Sequence, residues 1–359
     1  MLMDKENQLK KLLMALILLL IGSFFFRPQT IQAAGLPFQV MPVLPSNQRE
    51  PDEAYFDIIA PANSQTKLQL KVKNITTQPV KIRVKFVTLQ TNNNGQLDYN
   101  MKQTRDHTLT YDANQLISGD QQLTLPANST TIYEAQLRMP ASNYDGIIAG
   151  GLVLEPITAA AKVKKGQIGI TNRFSYAVPV IARNEDKTWL PKLQLASSKL
   201  VQIDYHNQLK TRLNNPSVTF VNQLRVEQVV TNLNTKKVYR KSTSKMQMAP
   251  NSHFDYRLTL PEKIPTGTYQ VVTTAYYVKA KRAGYLAGNQ QRYQYRQKSV
   301  NQVVVTKQQS RKLNQQITQS KTGGYHWVIY AVVGAIIALL LIIIGLLIYI
   351  VHNRKQQTK

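Results

Sequence analysis

The carboxylates are the first side chains to weigh for chemistry. Ten in the first half of the chain are candidates: Asp52, Glu53, Asp57, Asp98, Asp106, Asp112, Asp120, Glu134, Asp145 and Glu155. Two carboxyl groups about 5 to 9 Å apart across a cleft would suit glycan hydrolysis, but no spacing here singles out a pair, and scattered acids on sheet surfaces read more simply as solvated faces. The five histidines, His107, His206, His253, His326 and His352, form no H-x-x-x-H, and there is no cysteine. Thiolate zinc sites, cysteine nucleophiles and disulfides are thereby excluded, and no metal or cofactor is expected. There is no G-x-S-x-G, phosphate loop or dinucleotide fingerprint. The residues point to binding, with no catalytic residue assigned.

Two stretches carry binding chemistry. NNNG at 92–95 reads first as a hairpin turn. As a sugar-binding loop it would supply Asn93 and Gly95, with Tyr99 and Tyr144 as stacking faces, because glycan sites pair aromatic rings with amide donors. The second stretch, KAKRAGYLAGNQQRYQYRQK at 279–298, interleaves cations and tyrosines. Lys281, Arg282, Arg292, Tyr293 and Arg296 are its candidates for a polyanion or a protein partner, against the plainer reading of a solvated hairpin. The charge is concentrated in the same half: residues 161–326 hold 28 Lys/Arg against 6 Asp/Glu, and residues 35–160 hold 10 against 11.

Which polyanion is meant depends on the compartment. Lys10 and Lys11 precede the apolar run LLMALILLLIGSFFF (12–26) and then QAAG (32–35), the pattern of a secretory signal over residues 1–34. Residues 327–351 are uncharged and rich in Ile and Leu, with His352, Asn353, Arg354 and Lys355 behind them. This predicts a C-terminal transmembrane helix, a cytoplasmic tail at 352–359 and a single-pass type I cell-membrane protein with its bulk outside. Outside a cell, anionic wall polymers, lipid headgroups and host glycosaminoglycans replace nucleic acid as the available polyanions.

The exported segment reads as strands. Leu68, Leu70 and Val72 alternate with Lys67, Gln69 and Lys71, and Val80, Ile82, Val84 and Phe86 alternate with Lys81, Arg83 and Lys85. Further strands are expected at 55–60, 123–125, 131–137, 146–154, 174–182, 193–195, 209–214, 223–231, 254–260 and 268–278. Short strands between Asn, Pro and Gly turns, without a long helical period, predict an all-β chain of two tandem immunoglobulin-like antiparallel sandwiches. We divide it as 35–158 and 167–306, followed by a polar stalk at 307–326. Gly146, Gly150 and Gly151 interrupt an apolar run and predict bends or close sheet contact.

GLPFQVMPVLPSNQ (35–48), YFDIIAP (55–61), the strand pair and QTNNNGQLDY (90–99) resemble the start of the WxL-interacting protein family of Gram-positive surfaces. NRFSYAVPVIARN (172–184) and IPTGTYQVVTTAYY (264–277) resemble its second domain. The resemblance implies a first domain that binds peptidoglycan, a second that binds host surface proteins, and partners that carry WxL modules. Host extracellular-matrix proteins are included in that expectation. The reading is of a cell-surface adaptor. Its alternatives are an enzyme acting on wall glycan and a chaperone-like module whose sheet edge accepts a partner strand.

Overall fold

The alternation at Leu68, Leu70 and Val72 becomes strand β3 (Gln65–Asn74), in which every second side chain is buried. The fold is that of a computed structural model, which describes residues 35–99, 105–157, 174–261, 263–288 and 290–321, and the positions 333, 334 and 337. The expected signal segment, the joint at 159–167 and nearly all of 327–351 lie outside the described residues.

The described chain is all-β apart from two helices. In the first sandwich, β1 (Phe38–Val43), β3, β9 (Thr130–Arg138) and β7 (Ile117–Gly119) form one sheet in the order β1-β3-β9-β7. The facing sheet joins β2 (Phe56–Ile59), β11 (Tyr176–Arg183), β10 (Ile148–Pro156), β4 (Val80–Thr88) and β8 (Gln122–Leu125), in the order β2-β11-β10-β4-β8. Phe38, Leu68 and Leu70 of one sheet meet Phe56, Ile82 and Leu152 of the other in a single core. Each such side chain contributes about 1.5–3 kcal/mol on leaving water. The short pair β5 (Gln90–Thr91) and β6 (Leu97–Asp98) and the single-turn helix α1 (Ala113–Leu116) complete this unit.

In the second sandwich, β14 (His206–Asn215) is flanked by β12 (Gln194–Leu195) and β13 (Lys199–Ile203) on one edge and by β17 (Ser252–Thr259) on the other. It packs on the sheet β16-β15-β18-β20-β19, formed by β16 (Val238–Met248), β15 (Val221–Asn232), β18 (Gly267–Lys279), β20 (Gln291–Val305) and β19 (Tyr285–Ala287). Leu213, Phe254 and Tyr256 meet Val226, Ala275 and Tyr277 between the sheets.

Both sandwiches turn their corner on a buried asparagine. Asn74 Oδ1 accepts from Thr76 N and Oγ1, while its Nδ2 donates to the carbonyls of Gln78, Leu125 and Pro126. Asn215 repeats the device: its Oδ1 accepts from Ser217, and its Nδ2 donates to the carbonyls of Thr219 at 2.8 Å and Ala249 at 2.7 Å. A short side chain that supplies both donor and acceptor satisfies a strand end that no ladder reaches.

Three features depart from the sequence reading. Tyr176–Arg183, expected to open the second unit, lies in the first sandwich, antiparallel to β10 and parallel to β2. Its side chains Val178, Val180 and Ala182 are needed there to close the first core. The expected solvated stalk begins as helix α2 (Lys307–Lys321), docked where Ser310 Oγ donates to Ile264 O at 2.7 Å and Ile264 N donates to Asn314 Oδ1 at 3.0 Å. The expected C-terminal transmembrane helix is corrected: among the described residues no helix is long and apolar enough to cross a membrane. The longest described helix, α2, carries Lys307, Arg311, Lys312 and Lys321 over four turns, a density of charge that hydrocarbon does not accept.

Candidate functional site

The hairpin between β5 and β6 is where the two sandwiches meet. Asn92 builds the turn, its Oδ1 accepting from Asn94 N and Gln96 N. Gly95 takes a φ of +69°, open to glycine without strain, and its missing side chain leaves room for Met246: a Cβ there would lie 2.5 Å from the Met246 sulfur. Gln247 N donates to Gly95 O at 2.9 Å, and Asp255 N donates to Asn93 Oδ1 at 3.0 Å. Two of the residues considered for sugar binding, Asn93 and Gly95, therefore clamp the second sandwich. Tyr144 joins them, its hydroxyl donating to Asn251 Oδ1 at 3.4 Å and its ring standing edge-on to Tyr111.

An apolar cluster underlies the clamp, with Leu89, Ile147 and Ala149 of the first sandwich against Ala249 and Phe220 of the second, and Trp189 at its margin. Trp189 Nε1 donates to Asp145 Oδ1 at 2.8 Å. Thr91 and Ser252 share a buried hydroxyl contact at 2.7 Å. Asp106 Oδ2 contacts His253 Nδ1 across the same joint. Burial pushes the Asp106 carboxyl up, but the bonds from His253 and Thr108 outweigh that and hold it below its usual value. The stabilisation of the joint by this carboxylate is present above the ordinary Asp value of about 4 and lost as pH falls through the lower folded value. Asp106→Asn should flatten the acid limb of the melting temperature against pH, leaving the protein at pH 7 less stable by up to about 1 kcal/mol.

Beside the clamp a cleft of about 430 Å³ opens between the sandwiches. Three rings face it: Tyr55 ahead of β2, Tyr99 after β6 and Phe220 ahead of β15. Tyr99 rests on Gly151 of β10, where a Cβ would lie 2.8 Å from the ring. That missing side chain is the reason the ring can lie against the sheet. Burial pushes the Tyr99 phenol up to about 12, so it stays a neutral hydrogen-bonding group.

The polar wall of the cleft comes from Arg49, Asp57 and Arg183 on one side and Asn222 and Gln247 on the other. Arg183 NH2 binds Asp57 Oδ1 at 2.5 Å, and Arg49 reaches Asp57 Oδ2 at 3.6 Å and Asp186 Oδ1 at 2.7 Å. Arg183 Nε is buried and has no hydrogen-bond partner among the described residues. A buried guanidinium N–H without an acceptor is costly, and this one is sealed behind the cleft wall, where the rest of the guanidinium is held by Asp57. Aromatic faces and amide donors suit a sugar, while the two guanidiniums are already matched by Asp57 and Asp186.

The polyanion candidates lie elsewhere on the second sandwich. Lys281, Arg282, Arg292 and Arg296 are exposed around the β19–β20 hairpin, and Arg296 stacks on Tyr285 at 4.7 Å. Tyr293 is a core side chain, 1% exposed. Many of the acids weighed for hydrolysis are tied to partners: Asp57 to two arginines, Asp106 to His253, Asp145 to Lys187, Glu155 to Lys85 and Glu134 to Gln69. Among the described residues no group of three His, Asp or Glu side chains converges as a metal site would require. Sequence reasoning missed Tyr55, Arg49, Arg183, Phe220 and Gln247; the alternation of β11 hinted only that Arg183 ends an otherwise apolar strand.

Comparison with known proteins gives two matches along the chain. A family model described as WxL Interacting Protein, peptidoglycan binding domain, matches residues 38–156, and one described as WxL Interacting Protein, host binding domain, matches residues 165–315. No curated protein matches. Among solved structures, the CsuC–CsuE chaperone–tip adhesion subunit complex of Acinetobacter baumannii is 11% identical, with 62% of this chain and 90% of that one covered and a TM-score of 0.29. The Salmonella enterica SafA pilin in complex with the SafB chaperone is 12% identical, covering 75% and 99%, with a TM-score of 0.28. The E. coli chaperone DraB is 12% identical, covering 66% and 88%, with a TM-score of 0.29. Likenesses this distant carry no functional argument.

Proposed function

The chain belongs to the WxL interacting protein family, and from that membership we propose that it works as a non-catalytic adaptor of the cell surface, holding peptidoglycan in the cleft between its sandwiches. A cell-surface binding role follows from the two family domains. The observation that carries the placement of the glycan is a cleft walled by the rings of Tyr55, Tyr99 and Phe220, with the amides of Asn222 and Gln247 opposite Tyr55. Rings bind the apolar faces of sugars, and the amides of Asn222 and Gln247 bind hydroxyls.

In this reading the second sandwich presents its basic outer surface to proteins: WxL-module partners and surface proteins of a host. An N-terminal signal over residues 1–34 and a Gram-positive wall as the setting belong to the same proposal. The enzymatic alternative is disfavoured because many of the carboxylates it would use are neutralised by neighbouring cations.

The test is cosedimentation of the purified full chain with isolated sacculi at physiological salt. The wild-type chain is expected in the pellet, and Tyr55→Ala, which removes one ring from the cleft mouth, should weaken binding about tenfold. A wild-type chain that stays in the supernatant defeats the proposal, and release of soluble muropeptides would favour the enzyme.

A further inference from the structure

Next to the cleft, one corner of the second sandwich is distorted in a way its core does not require. Gln223, Lys245 and Val278, on the adjacent strands β15, β16 and β18, all have left-handed backbone, with φ of 54°, 60° and 59°. Left-handed backbone is uncommon for any residue with a side chain and a marked outlier for β-branched valine. The ladder between β15 and β16 slips twice here, between Val221 and Leu224 and between Leu224 and Val226. Bulges re-aim side chains, and strained positions collect at ligand sites because packing elsewhere holds them in place. Lys279 N, just past Val278, donates to Gln223 Oε1 at 2.7 Å, and Gln96 of the first sandwich donates to Lys245 O at 3.2 Å. Both bulged loops are thus fixed from outside their own strands.

The distortion makes a hollow of about 470 Å³ lined by Gln223, Lys245, Met246 and Lys279, with Asn222 and Gln247 as walls shared with the aromatic cleft. Gln247 Nε2 donates to Asn222 Oδ1 at 2.6 Å, so the shared wall is a fixed ridge. Other cations around the joint are neutralised: Arg49 by Asp186, Arg183 by Asp57, Lys187 by Asp145, and Lys210 and Arg212 by Asp255. Lys245 and Lys279 have no ion-pair partner among the described residues. Two lysines that line one hollow, neither ion-paired among the described residues, favour an anion there.

We infer that this hollow is an anion subsite, in which Lys245 and Lys279 take a carboxylate or phosphate carried by the wall polymer whose sugars lie in the adjoining cleft. The inference rests on the peptidoglycan-binding reading and deepens it: the ligand spans both sandwiches and is negatively charged where it crosses to the second. The carboxylate would come from a wall peptide, the phosphate from an anionic polymer attached to the same glycan.

The experiment compares the full-length wild-type chain with a Lys245→Gln, Lys279→Gln double variant, on untreated sacculi and on sacculi stripped of phosphodiester polymers by hydrofluoric acid. The double variant, checked by circular dichroism to keep the native fold, should bind untreated sacculi about tenfold more weakly and with a shallower salt dependence than the wild type. If that deficit persists on stripped sacculi the anion is a carboxylate, and if it vanishes the anion is a phosphate; both support the subsite. Equal binding and equal salt dependence of variant and wild type on both preparations overturn it while leaving peptidoglycan binding intact. Failure of the wild type to bind either preparation removes the wall-binding reading itself, and the subsite with it.

Discussion

Asp57→Ala is expected to lower the stability of the protein by about 3–5 kcal/mol, the cost of leaving a buried charge uncompensated. Asp57 and Arg183 are 3% and 7% exposed, and among the described residues the Arg183 guanidinium has no other ion-pair partner to turn to. Arg49 would also lose its approach to the carboxylate but keeps Asp186 at the surface. Desolvation and the attraction between the partners nearly cancel in a buried pair, so removing both should cost far less. Asp57→Leu with Arg183→Met should lie within about 1.5 kcal/mol of the wild type. Denaturant unfolding of the single and paired variants checks this. A single variant no worse than the pair would mean that water reaches the charges.

Gly150→Val is expected to abolish the native first sandwich, a loss of 3 kcal/mol or more. Strand β10 is buried on both faces over Ile148–Leu154, and α1 closes over Gly150. A Cβ at this position would lie 2.4 Å from Val87 O and 2.5 Å from Ala113 Cβ. The first of these atoms is backbone of the neighbouring strand, so no rotamer relieves the clash, and either the β4–β10 ladder or α1 must move. Trp189, packed on the joint beside Ile147, should report this as a red-shifted emission as the cluster becomes wet. Gly284→Ala is the control, since a Cβ there meets nothing within 4 Å, and it should be neutral. A Gly150→Val chain with wild-type emission and melting temperature would contradict the packing described for β10.

The sequence was most legible where alternation was strict. β3 and β4 carry apolar residues at every second position against lysine and arginine, and both are strands facing one core. It was least legible at β16, whose VYRKSTSKMQM has no alternation because it is an edge strand with most of its side chains in water. β20 was missed for a related reason. Its register is set by the thirteen residues of β18 alongside it, and Arg296, Lys298 and Gln302 stand on its open face. The stalk at 307–326 is too polar to announce a docked helix, and only the contact with Ile264 shows that α2 docks.

The candidate site divides in the same way. NNNG was recognisable as a turn because asparagine and glycine are chosen by local backbone geometry. Its role as a clamp depends on Met246, Gln247 and Asp255, which lie about 150 residues further along. Tyr99 was singled out for its ring, and its position follows from the absence of a side chain at Gly151.

From the sequence alone came the β-built chain, the absence of thiol chemistry, the basic second half and the family likeness, all of which depend on composition and short-range pattern. The tertiary structure decided the exchange of β11 into the first sandwich, the joint between the units, the orphaned Arg183 Nε and the two lysines that share a hollow. These follow from packing between residues far apart in the chain, where burial and closeness are created by folding and leave no local periodicity to read.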